Sequence, residues 1–167
     1  MKPTLTGLPT VYLRPGELHF GAEPTVVTTV LGSCVSVTMF ERASGTAAIC
    51  HALLPEGNKG DGLRYVDTSI LRMLAMFSAR GVSPGRLEVK LFGGADLIGF
   101  GGSRIGVGRR NVEIARRVLS VSGLAVSAAD VGGTRGRKLI FYTHTGEVLL
   151  KRLRRDDPLA AGEDWGR

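Results

Sequence analysis

The 167-residue sequence predicts an α+β domain: a layered α/β sandwich of mixed, largely antiparallel sheets with two main helices on one side. Three observations carry this. Strand-like segments outnumber helical ones. Most of them follow one another through short turns marked by Gly or Pro, as antiparallel neighbours do. Two stretches alone place apolar residues at helical spacing. The length suits a single core, and no repeat or shift in composition divides it. Aromatic residues make up only 6% of the chain, so the core rests on Val, Leu and Ile.

Residues 1–10, with Pro3, Gly7 and Pro9, read as a flexible arm. A short strand at 11–13 ends at the turn Pro15-Gly16. Residues 25–30 are β-branched throughout and extended. Gly32-Ser33 interrupts them. Residues 34–40 then alternate, with Val35, Val37 and Met39 on one side and Cys34, Ser36 and Thr38 on the other. A turn at 42–45 returns the chain as a strand over 46–54, whose Ala47, Ile49, His51 and Leu53 share a face until Pro55 ends it. The glycine-rich loop 56–64 leads to a helix over 66–80. Asp67 or Thr68 caps it, Ile70, Met73, Leu74 and Phe77 form its stripe, and Gly81 stops it.

A strand at 87–92 runs into a second glycine loop, 93–108. The second helix spans 109–122, with Val112, Ala115, Val118 and Leu119 inward and Gly123 as its stop. Strands at 124–129, 138–142 and 148–153 follow, the last two joined at Thr145-Gly146. Residues 154–167 are charged and small and read as a disordered tail, which leaves 11–153 as the one folded domain.

The formal charge of +7 lies in Arg109-Arg110, Arg116-Arg117, residues 135–138 and residues 151–155. No aromatic residues interleave with these runs, as single-strand stacking would need, so nucleic acid is not the expected partner. No run has the length of a membrane span and the N-terminus lacks a secretory pattern. The expected location is cytoplasmic, where the two cysteines, Cys34 and Cys50, stay as free thiols.

Several motifs fail on inspection. The glycine loop has no Gly-x-x-x-x-Gly-Lys-Ser/Thr, and Arg104 breaks a Gly-x-Gly-x-x-Gly. Gly106 and Gly108 before a helix suit either a small anion site at the helix N-terminus or, the favoured reading, a turn that lets backbone pass closely. Cys34, Cys50, His19, His51 and His144 lack the paired spacing of a zinc site, and adjacent Cys50 and His51 point to opposite strand faces. No metal or cofactor is expected.

What remains is Cys34 behind Gly32-Ser33, with His51 on the returning strand. A nucleophilic thiol needs a base and donors for an oxyanion. A bend at Gly32 and Ser33 can aim backbone N–H groups at one point. His51 can reach Cys34 across the hairpin, and Thr28 or Thr29 can orient the imidazole. By residue type alone the same sulfur also serves as a buried apolar filler, and the histidine as a bonded core residue. Cys50 has no bend before it.

The segments TTVLGSC (28–34) and HALLP (51–55) resemble the chemoreceptor glutamine deamidase family, CheD. So do YVDT (65–68), KLFGGA (90–95), VGRRN (107–111) and DVGGTRGR (130–137), in register from about residue 12 to 153. The resemblance implies Cys34 as nucleophile, His51 as general base and Thr28, six residues before the cysteine, as the third triad member, with no such match for Thr29. It implies a cytoplasmic enzyme that needs no cofactor and converts glutamines of chemoreceptor cytoplasmic helices to glutamate, with CheC-type phosphatase as a further partner. Arg110 and Asn111 are structural or rim residues on this reading. The rival readings are a receptor methyl-ester hydrolase using the same thiol, and a non-catalytic adaptor for receptors or CheC.

Overall fold

The computed structural model describes residues 7–57, 62–97, 106–154 and 157. Among them the chain forms β1 (Thr10–Tyr12), β2 (Leu18–Gly21), β3 (Val26–Leu31), β4 (Val35–Glu41), β5 (Thr46–Cys50), α1 (Val66–Ala79), β6 (Glu88–Gly93), α2 (Val107–Val121), β7 (Val126–Val131), β8 (Arg137–Tyr142) and β9 (Val148–Arg152). One sheet has the order β1-β3-β8-β9 and the other β2-β5-β4-β6-β7. Only the β1–β3 and β6–β7 pairs are parallel. This is the predicted mixed, largely antiparallel α+β architecture.

Strand alternation sorts the side chains into two cores. Val35, Val37, Met39, Ala48 and Cys50 face the helices and pack with Ile70, Met73 and Phe77 of α1 and Ile114, Ala115 and Leu119 of α2. The opposite face of the same sheet sends Phe40, Ala47 and Ile49 against Leu13, Val27 and Phe141 of the first sheet. The layers therefore run sheet, sheet, helices. Each large side chain buried in them contributes about 1.5–3 kcal/mol.

The structure departs from the sequence reading in several places. β2 pairs with β5 at the sheet edge, a strand the composition of Leu18-His19-Phe20-Gly21 does not announce. Thr10 lies in β1 opposite Val26, so the expected arm is already paired at its last residue. The returning strand stops at Cys50, with Ala52 continuing only as a bridge to Val35. α1 starts from Tyr65 without a side-chain cap. Asp67 sits inside its first turn and takes N–H groups from Thr68 (2.8 Å) and Gly57 (3.2 Å). α2 begins two residues before the predicted start, at Val107, because Gly106 at φ +87° supplies the turn into it. The arm through residue 6, loop residues 58–61 and 98–105, and the tail beyond 154 except Asp157 lie outside the described residues.

Candidate active site

β4 and β5 position the two reactive candidates. Their register pairs Phe40 with Ala47 and Thr38 with Ile49, and the bridge at Val35 and Ala52 continues the same count. Ser36 therefore stands opposite His51. Cys34, two residues further along the same face, is the diagonal neighbour of His51, a relation in which side chains interact. Both face the layer between the sheets. Cys34 is half-buried and packs against Leu31, Phe92 and Leu139. Cys50 faces the helices instead. It accepts the Val37 N–H at 3.5 Å, and burial pushes its thiol up to about 12, so it stays protonated and inert.

The bend before Cys34 is held from outside its own strand. Gly32 O accepts from Ala95 N–H (3.0 Å), Ser33 O from Asn111 Nδ2 (2.8 Å) and Cys34 O from Gly94 N–H (2.9 Å). The end of β6 and the start of α2 thus clamp the bend. They approach so closely because Gly94 and Gly108 carry no Cβ: a Cβ on Gly108 would run into the Ala95 and Gly94 carbonyls. This is the close backbone passage the sequence suggested for Gly108. The Gly106 N–H meets Asp96 Oδ1 at 3.1 Å.

His51 is 2% exposed. Its backbone N–H donates to Glu17 O (3.1 Å) and its carbonyl accepts from Gly16 N–H (2.8 Å). Its Nδ1 lies 2.7 Å from Thr29 Oγ1, and that hydroxyl donates to Leu13 O at 2.7 Å. The hydroxyl has one proton and Leu13 O can only accept. Thr29 Oγ1 therefore accepts from Nδ1–H, which leaves Nε2 with its lone pair.

The resemblance implies Thr28 as the third triad member; the hydroxyl that bonds His51 Nδ1 is that of Thr29. Val27, Thr29 and Leu31 share the face of β3 that meets the second sheet. Thr28 points to the other face and is half-exposed. Asn111, left open between a structural and a rim position, is fully buried, while Arg110 is exposed. The bonds from Asn111 to Ser33 O and Leu53 O have no signal in the sequence beyond a polar residue on an apolar helix stripe.

Burial holds the His51 imidazole down at about 4, against an ordinary 6.5, with the Leu13 carbonyl opposing the shift only in part. Between those two values the unfolded chain takes up a proton on this ring and the folded chain does not. Stability therefore falls as pH falls from 6.5 toward 4, by about 3 kcal/mol in the limit. Burial lowers His19 as well, with the same sign. Glu41 and Asp130 are both held below their ordinary values and act at lower pH. Melting temperatures of the wild type and His51→Gln between pH 7 and 5 should separate the His51 share: the wild type loses stability more steeply. Equal slopes would mean a solvated ring.

Below the bend lies an ionic network that runs from a buried arginine to the surface. Arg137, 2% exposed, donates to Asp130 Oδ1 (2.7 Å), Gly132 O (2.7 Å) and Gly93 O (3.3 Å). Arg152 donates to Asp130 Oδ2 at 2.8 Å. Burial raises the Asp130 carboxyl, but the bonds and charges of the two arginines outweigh it and hold the group below its ordinary value. The network ties β8 of one sheet to the ends of β6 and β7 in the other.

Fold and site together define a two-sheet α+β domain with a half-buried thiol and an oriented imidazole on one sheet face. The family model described as CheD chemotactic sensory transduction matches residues 53–152. "Probable chemoreceptor glutamine deamidase CheD 2" of Geobacter sulfurreducens is 70% identical over 90% of this chain and 94% of its own length. "Probable chemoreceptor glutamine deamidase CheD" of Maridesulfovibrio salexigens is 41% identical over 86% of this chain and 91% of its own. The chain belongs to the CheD family. The crystal structure of Bacillus licheniformis hypothetical protein YfiH overlaps with a TM-score of 0.47 and 12% identity, covering 71% of this chain and 50% of that one.

Proposed function

We propose that this chain is a chemoreceptor glutamine deamidase, an amidohydrolase in which Cys34 is the nucleophile, His51 the general base and Thr29 the residue that orients it. The observation that carries the reading is the Leu13–Thr29–His51 chain of hydrogen bonds, since it presents an unprotonated Nε2 on the face that bears Cys34.

His51 Nε2 takes the Cys34 proton as the sulfur attacks the glutamine side-chain carbonyl carbon. Backbone N–H groups of the Gly32–Ser33 bend face the oxyanion, each well-placed donor contributing about 3–4 kcal/mol. The burial that depresses the imidazole makes the imidazolium short-lived and favours passing its proton to the departing nitrogen, which leaves as ammonia. His51 then deprotonates a water that attacks the thioester. The thiol is restored and the product is glutamate, with one added negative charge on the receptor helix. No step calls for a metal or cofactor.

Membership of the family extends the reading to a cytoplasmic location and to a CheC-type phosphatase as a regulatory partner. Among the described residues no helix is long and apolar enough to cross a membrane.

The test is a receptor cytoplasmic fragment incubated with the chain and weighed. Deamidation exchanges NH2 for OH at a glutamine and releases ammonia. Release of methanol from a methylated fragment instead would identify an esterase, and binding without conversion an adaptor. Thr29→Val, which keeps the shape and removes the hydroxyl, should lower kcat by about 10- to 100-fold, the worth of one buried hydrogen bond. Thr28→Val should leave kcat unchanged. The reverse order would return the orienting role to Thr28.

A further inference from the structure

The β4–β5 ladder opens where the chemistry sits. Val35 and Ala52 exchange both backbone hydrogen bonds, at 3.0 and 2.9 Å. One rung further the register would pair Ser33 with Leu54, but the N–H groups of Leu53 and Leu54 turn away to Arg64 O, at 2.8 and 3.1 Å. The strands have parted, and the parting makes room around Cys34. It also removes the rungs that would hold Cys34 at a fixed distance from His51.

Asn111 Nδ2 sits in that gap. It donates to Ser33 O (2.8 Å) and to Leu53 O (3.0 Å). Ser33 immediately precedes Cys34, and Leu53 lies two residues after His51. Asn111 is the one polar side chain among the buried residues of α2, alongside Gly108, Ile114, Ala115 and Leu119. An apolar side chain there would leave the Ser33 and Leu53 carbonyls without this donor, so the two bonds account for a buried amide at this position. Ile114, Ala115 and Leu119 already anchor the helix in the core, so the amide is not needed to dock it.

We propose that Asn111 is a positioning residue: one side-chain nitrogen replaces the missing rungs of the opened ladder and thereby fixes Cys34 against His51. The assignment rests on the reading of Cys34 as nucleophile. Asn111 touches no reacting atom and acts through the backbone on either side of the pair. Loss of the clamp lets the two side chains drift, and a displacement of about 1 Å at a reacting pair lowers the rate about 100-fold.

The experiment compares the full-length wild type, Asn111→Ala and Asn111→Ser on the receptor fragment. Alkylation of Cys34 by iodoacetamide is followed by mass in parallel. Protection of Cys50 from the same reagent reports that the variants are folded. Asn111→Ala should lower kcat about 100-fold with KM unchanged, and Cys34 alkylation at neutral pH should slow with it. Asn111→Ser keeps one donor and should recover part of the loss. The gap to wild type should narrow above about pH 8.5, where an unassisted thiol ionises without a base. Wild-type kcat in a folded variant, a change in KM alone, or a gap constant across pH overturns the proposal. So does failure of both variants to fold, which would make the amide a fold-holding group. Cys34→Ala, run alongside, separates the two readings. If it stays active, the nucleophile is wrong; if it is inactive while the Asn111 variants match wild type, only the positioning role is wrong.

Discussion

Cys34→Ala should reduce turnover of a receptor glutamine by at least about 10^4-fold, with binding of the receptor fragment retained. The size follows from the chemistry: no other group near the bend can form a thioester, and the residual rate reflects binding and oxyanion donors alone. His51→Ala should be nearly as severe at neutral pH, because the imidazole proposed to take the thiol proton is gone. Cys50→Ala is the control. Its sulfur is buried on the helix side of the sheet and cannot ionise near neutrality, so the variant should lose some packing and keep its kcat. Turnover by Cys34→Ala at the wild-type rate would falsify the proposed mechanism, and the substrate assignment would then need another catalyst.

The sandwich was legible because its signals are local. A β-branched run at 25–30, an alternating run at 34–40 and two apolar helical stripes each specify an element without help from the rest of the chain. β2 was not legible because four residues with no β-branched member become a strand only through pairing with β5. That is tertiary context outweighing propensity. The start of α2 was missed for a related reason. Val107 and Gly108 are poor helix formers, and a glycine stands at 108 because a Cβ there would collide with the Gly94 and Ala95 carbonyls.

The site divides in the same way. The Gly-Ser-Cys bend and the histidine on the next strand stand out by residue type, and strand alternation places the pair on one face. The choice between Thr28 and Thr29 depends on which face of β3 meets the other sheet. That face is set by Val27 and Leu31 packing across to the second sheet, and the position the resemblance implies, Thr28, lies on the other face. A count of six residues back from the cysteine fixes a position along the strand. It cannot fix a direction where the chain bends between the two points, as it does at Gly32 and Ser33.

Gly93→Ala should lower the melting temperature by about 10 °C and kcat by about 100-fold or more, although Gly93 belongs to no catalytic pair. Gly93 holds φ at +105°, and a Cβ there would collide with the Cys34 carbonyl oxygen and press on Leu31 and Val35. Backbone strain and overpacking each cost about 1–3 kcal/mol. Because Gly93 pairs with Val35 on one side and Val131 on the other, relief requires β6 to move away from β4 beside Cys34. The Gly94 bond to Cys34 O and the Arg137 bond to Gly93 O would then stretch together. Gly45→Ala separates strain from collision. Gly45 also has a positive φ, +70°, but a Cβ there meets nothing within 4 Å, so about 1 kcal/mol of strain is expected and no change in kcat. If both alanine variants melt and turn over alike, β6 tolerates displacement and does not hold the Cys34 backbone. If only Gly93→Ala fails, the geometry of the thiol is set by a sheet contact on the side away from His51.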